Sequence, residues 1–454
     1  MIKKYTVSIT IINQRRRTMK HAISKIMIFV MVFVMLIPFI LELSVQAVGD
    51  GTQSSPWDIS KNGDGSITAV LSGEGTLTIS GMGEMLDWQS ETSIPWYSKR
   101  TSIKKIIINN NVTSIGKNAF RYCINLKDIQ IPISIAKIGS YVFYDCSSLT
   151  SVDIPRNVIW IGEEVFFNCS NLTSINVDSN NKNYMDENGI LFNKSKTQLI
   201  QYPAKKMGEN YLIPNGIERI ESAAFSYCIN LISIEIPSSV TWIGNKVFFY
   251  CIKLTSIKVN SNNTNYIDEN GILFNKNKTQ LIQYPAGKIE ETYIIPSSVT
   301  SIEERAFSYS ISLTNIEVPN SATSIGDYAF YNCTSLTSIN IPSSITSIGY
   351  EAFSYCKSLT SIEIPSSVTR IENVVFYCCE SLTSIEIPSS VTSIGDYAFS
   401  YCKSLTSIEI PSSVTSIGED AFKYCESLRS IEIPSSVTSI RDSAFFYCTS
   451  LTSV

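Results

Sequence analysis

A unit of 23 residues recurs along most of this chain and restricts what it can fold into. Close copies of Leu405–Cys425, LTSIEIPSSVTSIGEDAFKYC, follow one another, and each carries a phenylalanine at the same place. Copies this short cannot bury an apolar face alone, so they are predicted to stack into a solenoid. The twelve phenylalanines, with two longer gaps of 59 residues between them, are Phe120, Phe143, Phe166, Phe225, Phe248, Phe307, Phe330, Phe353, Phe376, Phe399, Phe422 and Phe445.

Alternation within one unit predicts where its first strand lies. Ile408 and Ile410 point inward, while Ser407 and Glu409 share the solvent side of a short β-strand. Pro411 ends that strand, because proline has no N–H for a central ladder. A period between 20 and 29 residues, with Leu and Ile at fixed offsets, is typical of a leucine-rich repeat array. The predicted fold is therefore mainly β, with short turns and 3-10 segments.

The N-terminal segment predicts export. A run of apolar residues from Ile26 to Leu41 follows several Lys and Arg, and small residues precede a cleavage position near Ala47. This is the pattern of a secretory signal peptide over residues 1–47, with a possible start at Met19. A membrane anchor is the alternative, but a span needs about 20 apolar residues and this run is shorter and contains Pro38. We predict a secreted or cell-surface protein with no membrane span in the mature chain.

The charge balance bears on the partners. Residues 1–47 hold seven of the 36 Lys and Arg and one of the 40 Asp and Glu, which leaves 29 basic and 39 acidic residues in the mature chain. Binding to nucleic acid depends on clustered basic residues that neutralise phosphates. We therefore predict no nucleic-acid partner.

Residues 48–100 differ from the repeats. Trp57, Trp88 and Trp96 punctuate Gly-rich strand patterns in this segment. The first turn of a solenoid exposes its apolar face, so a β-rich N-terminal cap over residues 48–100 is predicted. A separate binding domain is the alternative, although some fifty residues could scarcely bury an independent core.

Two nearly identical inserts interrupt the array over residues 101–454. They lie at about 178–213 and 260–295, and their sequences are related by an offset of 82 residues. In the first, two apolar runs flank the polar segment 193–197, which predicts a protruding hairpin with a five-residue loop. Aromatic residues on the inserts are candidates for binding a partner: Tyr184, Phe192, Tyr202, Tyr266, Phe274 and Tyr284.

Cysteines recur with the repeat. Eleven of the twelve phenylalanines are followed three residues later by a cysteine, Ser310 stands in the remaining turn, and Cys378 is extra. One cysteine per turn gives a ladder of parallel side chains about 5 Å apart, whereas a disulfide needs facing geometry. We predict buried free thiols that act as small apolar residues; a few disulfides or a metal are the alternatives.

The residues for most hydrolytic chemistry are missing. The only histidine is His21, inside the predicted signal peptide, so Ser–His and Cys–His pairs lack their base. A two-acid glycosidase is the alternative, but Glu repeated at equivalent positions is what copying of a unit produces. We predict no enzyme activity, no catalytic residue, no cofactor and no metal site.

The outward side of the first strands ends in an acidic stripe. The stripe consists of Glu363, Glu386, Glu409 and Glu432, and a serine stands two residues before each: Ser361, Ser384, Ser407 and Ser430. Stacked like charges repel one another. They are either fully solvated or suited to a cationic partner, and these eight residues form the candidate binding face.

The series Cys-x-x-Leu-x-x-Ile-x-Ile-Pro-x-x-Val-x-x-Ile-Gly-x-x-Ala-Phe resembles the BspA-like class of leucine-rich repeats over residues 101–454. The segments 57–60 and 75–81 are similar to the N-terminal region common in that family. The resemblance implies an exported or surface-displayed adhesion protein that binds extracellular, host or neighbouring-cell proteins. The alternative is a spacer or display stalk for a C-terminal domain missing from this chain. The oligomeric state stays open.

Overall fold

A computed structural model describes residues 49–453, which form a β-solenoid of about 15 turns with almost no helix. The predicted repeat solenoid is therefore confirmed. The predicted signal peptide, residues 1–47, lies outside the described residues. Between Gly49 and Ser453, no helix has the length and apolarity needed to cross a membrane.

One side of the solenoid is a first column of strands that run parallel and pair in register between neighbouring turns, as Ser407 does with Ser430. Inward isoleucines alternate with exposed polar residues, as predicted. The strands of this column are β5 (Lys105–Ile108), β7 (Asp128–Gln130), β9 (Ser151–Ile154), β11 (Ser174–Val177), β15 (Asn210–Leu212), β17 (Ser233–Ile236), β19 (Ser256–Val259), β23 (Thr292–Ile294), β25 (Asn315–Glu317), β27 (Ser338–Asn340), β29 (Ser384–Ile385), β31 (Ser407–Glu409) and β33 (Ser430–Glu432).

A second side is a column of shorter parallel strands. Each strand has an inward isoleucine or leucine, and the residue before it is a serine, lysine, arginine, glutamine or tryptophan. The strands are β6 (Val112–Ile115), β8 (Lys137–Ile138), β10 (Trp160–Ile161), β14 (Gln198–Gln201), β16 (Arg219–Ile220), β18 (Trp242–Ile243), β22 (Gln280–Gln283), β24 (Ser301–Ile302), β26 (Ser324–Ile325), β28 (Ser347–Ile348), β30 (Ser393–Ile394), β32 (Ser416–Ile417) and β34 (Ser439–Ile440).

The third side has no strands but is held by its own ladder of hydrogen bonds. Tyr397, Phe399 and Tyr401 each donate their N–H to a carbonyl 22 residues later, at 2.8, 2.8 and 2.7 Å. Tyr397 and Tyr401 have φ of 57° and 62°. A left-handed residue costs about 1–2 kcal/mol, so this ladder and the packing beneath it must offset two such residues in each turn. The repeated glycine, two residues before the first of them, is not left-handed, as the non-glycine residues at equivalent positions predict.

The core between the three sides is a stack of phenylalanines. Phe399 and Phe422 lie 5.4 Å apart with ring planes 7° from parallel, and both are fully buried. The cysteines line the same core, and all twelve are free, with only Cys378 and Cys448 partly exposed. The thiol of Cys146 donates to the Phe120 carbonyl at 3.1 Å, and most other turns repeat this bond. The structure agrees with the prediction of free thiols. The hydrogen bond to the carbonyl is a further reason why a cysteine, rather than a purely apolar residue, occupies this position.

Residues 49–102 cover the N-terminal end of the array. Strand β3 (Thr76–Gly81) pairs with β5 of the first column, and β4 (Gly83–Glu84) pairs with β6 of the second. The Trp96 ring stacks on Phe120 at 6.1 Å and so begins the aromatic stack. The strands of this part are β1 (Trp57–Asp58), β2 (Ile67–Leu71), β3 (Thr76–Gly81) and β4 (Gly83–Glu84), followed by 3-10 helices at Glu91–Ser93 and Tyr97–Ser102.

Each insert folds into the solenoid, so the prediction of protruding hairpins is wrong. In the first insert, β12 (Tyr184–Glu187), β13 (Ile190–Asn193) and β14 form an antiparallel meander, and β14 pairs in parallel with β16 of the next turn. The second insert repeats this with β20 (Tyr266–Glu269), β21 (Ile272–Asn275) and β22. The antiparallel pairing was predicted, but β13 is apolar on both faces and is therefore buried rather than displayed.

Strand β13 separates two parts of the core. Leu191 packs with the residues that precede the insert, whereas Ile190 and Phe192 pack with those that follow it. In the second insert Leu273 faces backward, and Ile272 and Phe274 face forward. Alternate side chains of a strand point to opposite faces. One face of the strand therefore packs into the core before the insert, and the other face packs into the core after it. The solenoid thus has three hydrophobic cores in series.

Candidate functional site

The predicted binding face lies on the outside of the first column. All eight of its residues, the four serines and the four glutamates of the acidic stripe, are exposed, while the isoleucines between them are buried. Glu409 and Glu432 are direct register partners, and Glu363 bridges to Glu386 in the same way. The structure therefore brings the stripe together as a single row.

The two halves of this face differ in how their charges are balanced. Near the N-terminus, Lys105 pairs with Asp128 at 3.0 Å, and the Asn176 amide donates to Asp153 at 2.8 Å. Within residues 49–453, none of the four glutamates of the stripe forms an ion pair. Adjacent strands are about 4.8 Å apart, so like charges in register repel one another. The stripe is therefore an uncompensated negative surface.

The aromatic residues predicted on the inserts do not form a binding surface. Phe192, Tyr202, Phe274 and Tyr284 are buried, so the prediction that they contact a partner is wrong. Tyr202 and Tyr284 take the place of the repeated phenylalanine, and their rings stack on Phe225 and Phe307, each at 5.3 Å. The 59-residue gaps in the sequence therefore each contain a complete extra turn, in which a tyrosine continues the stack.

The other two aromatic residues of the inserts, Tyr184 and Tyr266, are half-buried and satisfy backbone groups. The Tyr184 hydroxyl accepts the N–H of Ile161 at 2.9 Å, and Tyr266 does the same for Ile243 at 3.0 Å. Ile161 and Ile243 lie in the last strands of their sheets, and no strand in the described part of the chain pairs with them on that side. These tyrosines therefore cap the sheet edges that the inserts create, and burial raises the pKa of both.

The insert residues that do reach the surface are apolar and aliphatic. Leu212 and Ile294 are 64% and 67% exposed, and they stand in register with Glu235 and Glu317 on the candidate binding face. Met207 and Ile289, just before the same strands, are more exposed still. The sequence signal was available, because these strands place an apolar residue where other units have a polar one.

A row of outer aromatic rings on the third side was also not predicted. It passes both inserts without a break, because Phe167 packs directly on Tyr227 and Phe249 at 5.4 and 5.8 Å. Burial raises the pKa of most of its tyrosines, including Tyr377. The signal is an aromatic residue one or two positions before each repeated cysteine, or before Ser310 in the turn that lacks it. The row consists of Tyr122, Tyr144, Phe167, Tyr227, Phe249, Tyr309, Tyr331, Tyr355, Tyr377, Tyr401 and Tyr424.

The carboxylates of Asp58 and Asp186 accept hydrogen bonds from backbone N–H groups. Asp58 accepts the N–H groups of Ser60 and Gly65, and Asp186 accepts those of Val177 and Gly189. Across the part of the chain that the structure describes, no group of three or more His, Cys, Asp or Glu is arranged to hold a metal ion. These aspartates therefore act as turn-forming residues.

The chain was compared with protein families and with known proteins. The family model described as the BspA type leucine-rich repeat region, with six copies, matches residues 95–209, 205–291, 286–403 and 369–454. These matches cover the whole array. A search of the curated proteins found no match.

Several solved structures are similar to this chain. A leucine-rich repeat protein from Eubacterium ventriosum has 30% sequence identity and a TM-score of 0.53, with 87% of this chain and 95% of that chain covered. A leucine rich cell surface protein from Faecalibacterium prausnitzii has 28% identity and a TM-score of 0.43, with 81% and 93% covered. A leucine-rich repeat protein from Bacteroides ovatus has 26% identity and a TM-score of 0.41, with 85% and 92% covered.

Proposed function

This chain belongs to the family of BspA type leucine-rich repeat proteins, and we propose that it is a secreted or cell-surface adhesion protein that binds extracellular proteins of a host or a neighbouring cell. The predicted signal peptide supports export. The binding surface is the outer face of the first strand column. The observation that carries the proposal is the row of four exposed glutamates, which have no ion-pair partner among residues 49–453.

The face combines two features that protein partners use. Leu212 and Ile294 supply exposed apolar side chains, and the acidic stripe supplies charge. From Ile294 to Glu432 there are six steps between turns, or about 29 Å at the usual strand spacing. Binding energy in such interfaces comes from a few buried apolar anchors, while charge steers association and selects the partner. We therefore propose a partner with a basic surface beside an apolar pocket.

A binding panel tests the proposal. The immobilised chain is exposed to purified extracellular proteins that span acidic to basic isoelectric points, at low and at high salt. We expect basic proteins to bind and salt to weaken them, because exposed charges are screened beyond about 10 Å at 0.1 M salt. Changing Glu363, Glu386, Glu409 and Glu432 together to Gln should reduce affinity at least about tenfold.

A matched control separates the stripe from net charge. Glu74, Glu218, Glu426 and Asp442 are exposed, form no ion pair within the described residues and lie outside the stripe. Changing these four to the corresponding amides, Gln or Asn, alters the net charge equally and should leave binding intact. Equal losses in both variants would show that only net charge matters. If the unaltered chain bound no protein of the panel, the display-stalk alternative would be favoured.

A further inference from the structure

Each insert opens a cleft in the second strand column. The sheet that contains β10 ends at that strand, and within residues 49–453 no strand of the next sheet, which has the order β12-β13-β14-β16-β18, pairs with β10. The cleft at the first insert has a volume of about 790 Å³, and the equivalent cleft at the second has about 290 Å³. Small-molecule sites usually measure about 300–1,000 Å³, so the first cleft has room for a ligand.

An exposed tryptophan lines the first cleft. Trp160 and Trp242 replace the outward serine of the second column, and they do so only in the two turns that directly precede an insert. Trp160 is 47% exposed, whereas the three tryptophans of residues 49–102 are buried. A tryptophan side chain this exposed does not contribute the free energy that most tryptophans gain by burying their apolar surface. Its position at the wall of a cleft is therefore better explained by a ligand than by packing.

Planar polar groups face the same cleft. Gln198 is in register with Arg219, and Arg219 is in register with Trp242. The Arg219 guanidinium lies 3.9 Å from the centre of the Trp242 ring, and its Nε donates to Glu221 at 3.1 Å. These contacts hold Arg219 in one place. The cleft thus offers amide, guanidinium and carboxylate groups with fixed directions.

The charges of the lining favour a neutral ligand over a strongly ionic one. Glu163, Glu164 and Glu221 repel an anion, although Glu164 is already paired with Lys246 at 3.0 Å. The positive charge of Arg219 on the Trp242 ring opposes a second cation beside it. A neutral ligand avoids both penalties, because neither sign of charge has to be brought beside its like.

An extended peptide fits the cleft less well. A peptide that adds to a sheet edge needs the free N–H groups of the edge strand. Here the outward N–H of Ile161 already donates to the Tyr184 hydroxyl. A partner strand would have to displace that tyrosine, which is half-buried in the insert.

We propose that the first cleft binds a neutral saccharide, with Trp160 as its stacking platform. A pyranose ring has an apolar face of C–H groups that packs on an indole, and its hydroxyls both donate and accept. Gln198 and Arg219 can donate to those hydroxyls, and Glu163 and Glu221 can accept from them. This site is separate from the protein-binding face, so either proposal can fail without the other.

Tryptophan fluorescence tests the site in the whole chain. Of the five tryptophans only Trp160 and Trp242 are accessible, so quenching of emission by acrylamide reports on the clefts. Soluble neutral oligosaccharides of several sugar types are titrated to about 10 mM, a range that covers weak sites with millimolar dissociation constants. We expect at least one of them to protect Trp160 from quenching in a saturable way.

Variants assign the signal and identify other outcomes. Trp160→Ala should lower the affinity measured by calorimetry at least about tenfold, Trp160→Phe should recover part of it, and Ile159→Ala, which removes an exposed apolar neighbour outside the lining, should change little. Circular dichroism confirms that each variant is folded. The proposal is overturned if no neutral saccharide protects, or if only tetramethylammonium, a charged sugar or an extended peptide does.

Discussion

At the scale of single residues, the repeated cysteine position of each turn combines apolar packing with a weak hydrogen bond. The turn that lacks the cysteine shows what both contribute. The cysteines fill a small apolar space and donate a weak hydrogen bond to the carbonyl of a buried aromatic residue in the preceding turn. Ser310 occupies the same position, is 1% exposed, and its hydroxyl has no partner within the described residues. A buried hydroxyl without a partner costs about 1–3 kcal/mol. Ser310 is therefore a weak point of the array.

Changing Ser310 to Cys should stabilise the protein by about 1 kcal/mol, because it removes an unsatisfied hydroxyl and adds apolar volume. The urea midpoint of unfolding measures the change. The reverse substitution in the next turn, Cys333→Ser, serves as control and should lower the midpoint. A Ser310→Cys variant with an unchanged or lower midpoint would contradict this account of the ladder.

The ladder thiols should also be slow to react. Burial raises the pKa of the Cys333 thiol to about 12, so at pH 8 nearly all of it stays protonated, and the thiolate is the reactive form. Cys378 and Cys448 are partly exposed and should be alkylated first. Mass spectrometry after brief iodoacetamide treatment of the native chain locates the label. Treatment in guanidinium chloride is the control, where all twelve should react; early labelling of Cys333 in the native chain would argue against a closed core.

At the scale of elements, each insert separates two hydrophobic cores of the solenoid. Strand β13 closes one core with Leu191 and opens the next with Phe192. On the third side, the turn before the insert contacts the two turns that follow it. Phe167 packs on Tyr227 and Phe249, and Glu164 pairs with Lys246 at 3.0 Å. Repeat arrays gain stability from contacts between neighbours. The two cores are therefore coupled mainly through one strand and one patch of third-side contacts.

Two adjacent substitutions should destabilise different parts of the chain. Leu191→Ala removes packing from the core before the insert and should cost about 2–5 kcal/mol there, while Phe192→Ala should cost about 3–5 kcal/mol in the core after it. Hydrogen exchange followed by mass spectrometry reads each part separately. We expect faster exchange in peptides before residue 178 for the first variant and after residue 210 for the second. Identical exchange patterns in the two variants would show that the cores act as one unit.

At the scale of the whole molecule, the pKa shifts of equivalent residues in successive turns add up. Burial raises the pKa of many ladder thiols and of outer tyrosines such as Tyr309 and Tyr331. Unfolded Cys and Tyr ionise near pH 8.5 and 10. Above those values the unfolded chain releases protons that the folded chain still holds, so the free energy of unfolding falls as pH rises.

The protein should therefore be markedly less stable at pH 10 than at pH 7, with the loss beginning near pH 8.5. Urea midpoints measured across this range give the slope. Cys402→Ala removes one buried thiol whose pKa burial raises, so its slope between pH 8.5 and 10 should be smaller than that of the unaltered chain. A midpoint independent of pH up to 10 would contradict the prediction.

The sequence by itself determined the repeated parts of this protein. The 23-residue period, the alternation of Ser407, Ile408 and Glu409, and the phenylalanine of each unit predicted the solenoid, its outward face and its core, because each unit only has to satisfy its neighbours. The spacing of the cysteines likewise predicted free thiols. The BspA-like resemblance was confirmed by the family comparison.

Only the tertiary structure decided what happens where the repetition stops. The apolar strand β13 could have been a displayed hairpin, and its burial depends on the two cores it separates, which are far apart in sequence. For the same reason Tyr202 proved to be part of the aromatic stack, while Leu212 proved to be exposed. The cleft beside Trp160 exists because a sheet ends there. Contacts between residues far apart in sequence determine these features. The repeat pattern predicts the regular turns, but it does not predict the structure where the pattern is interrupted.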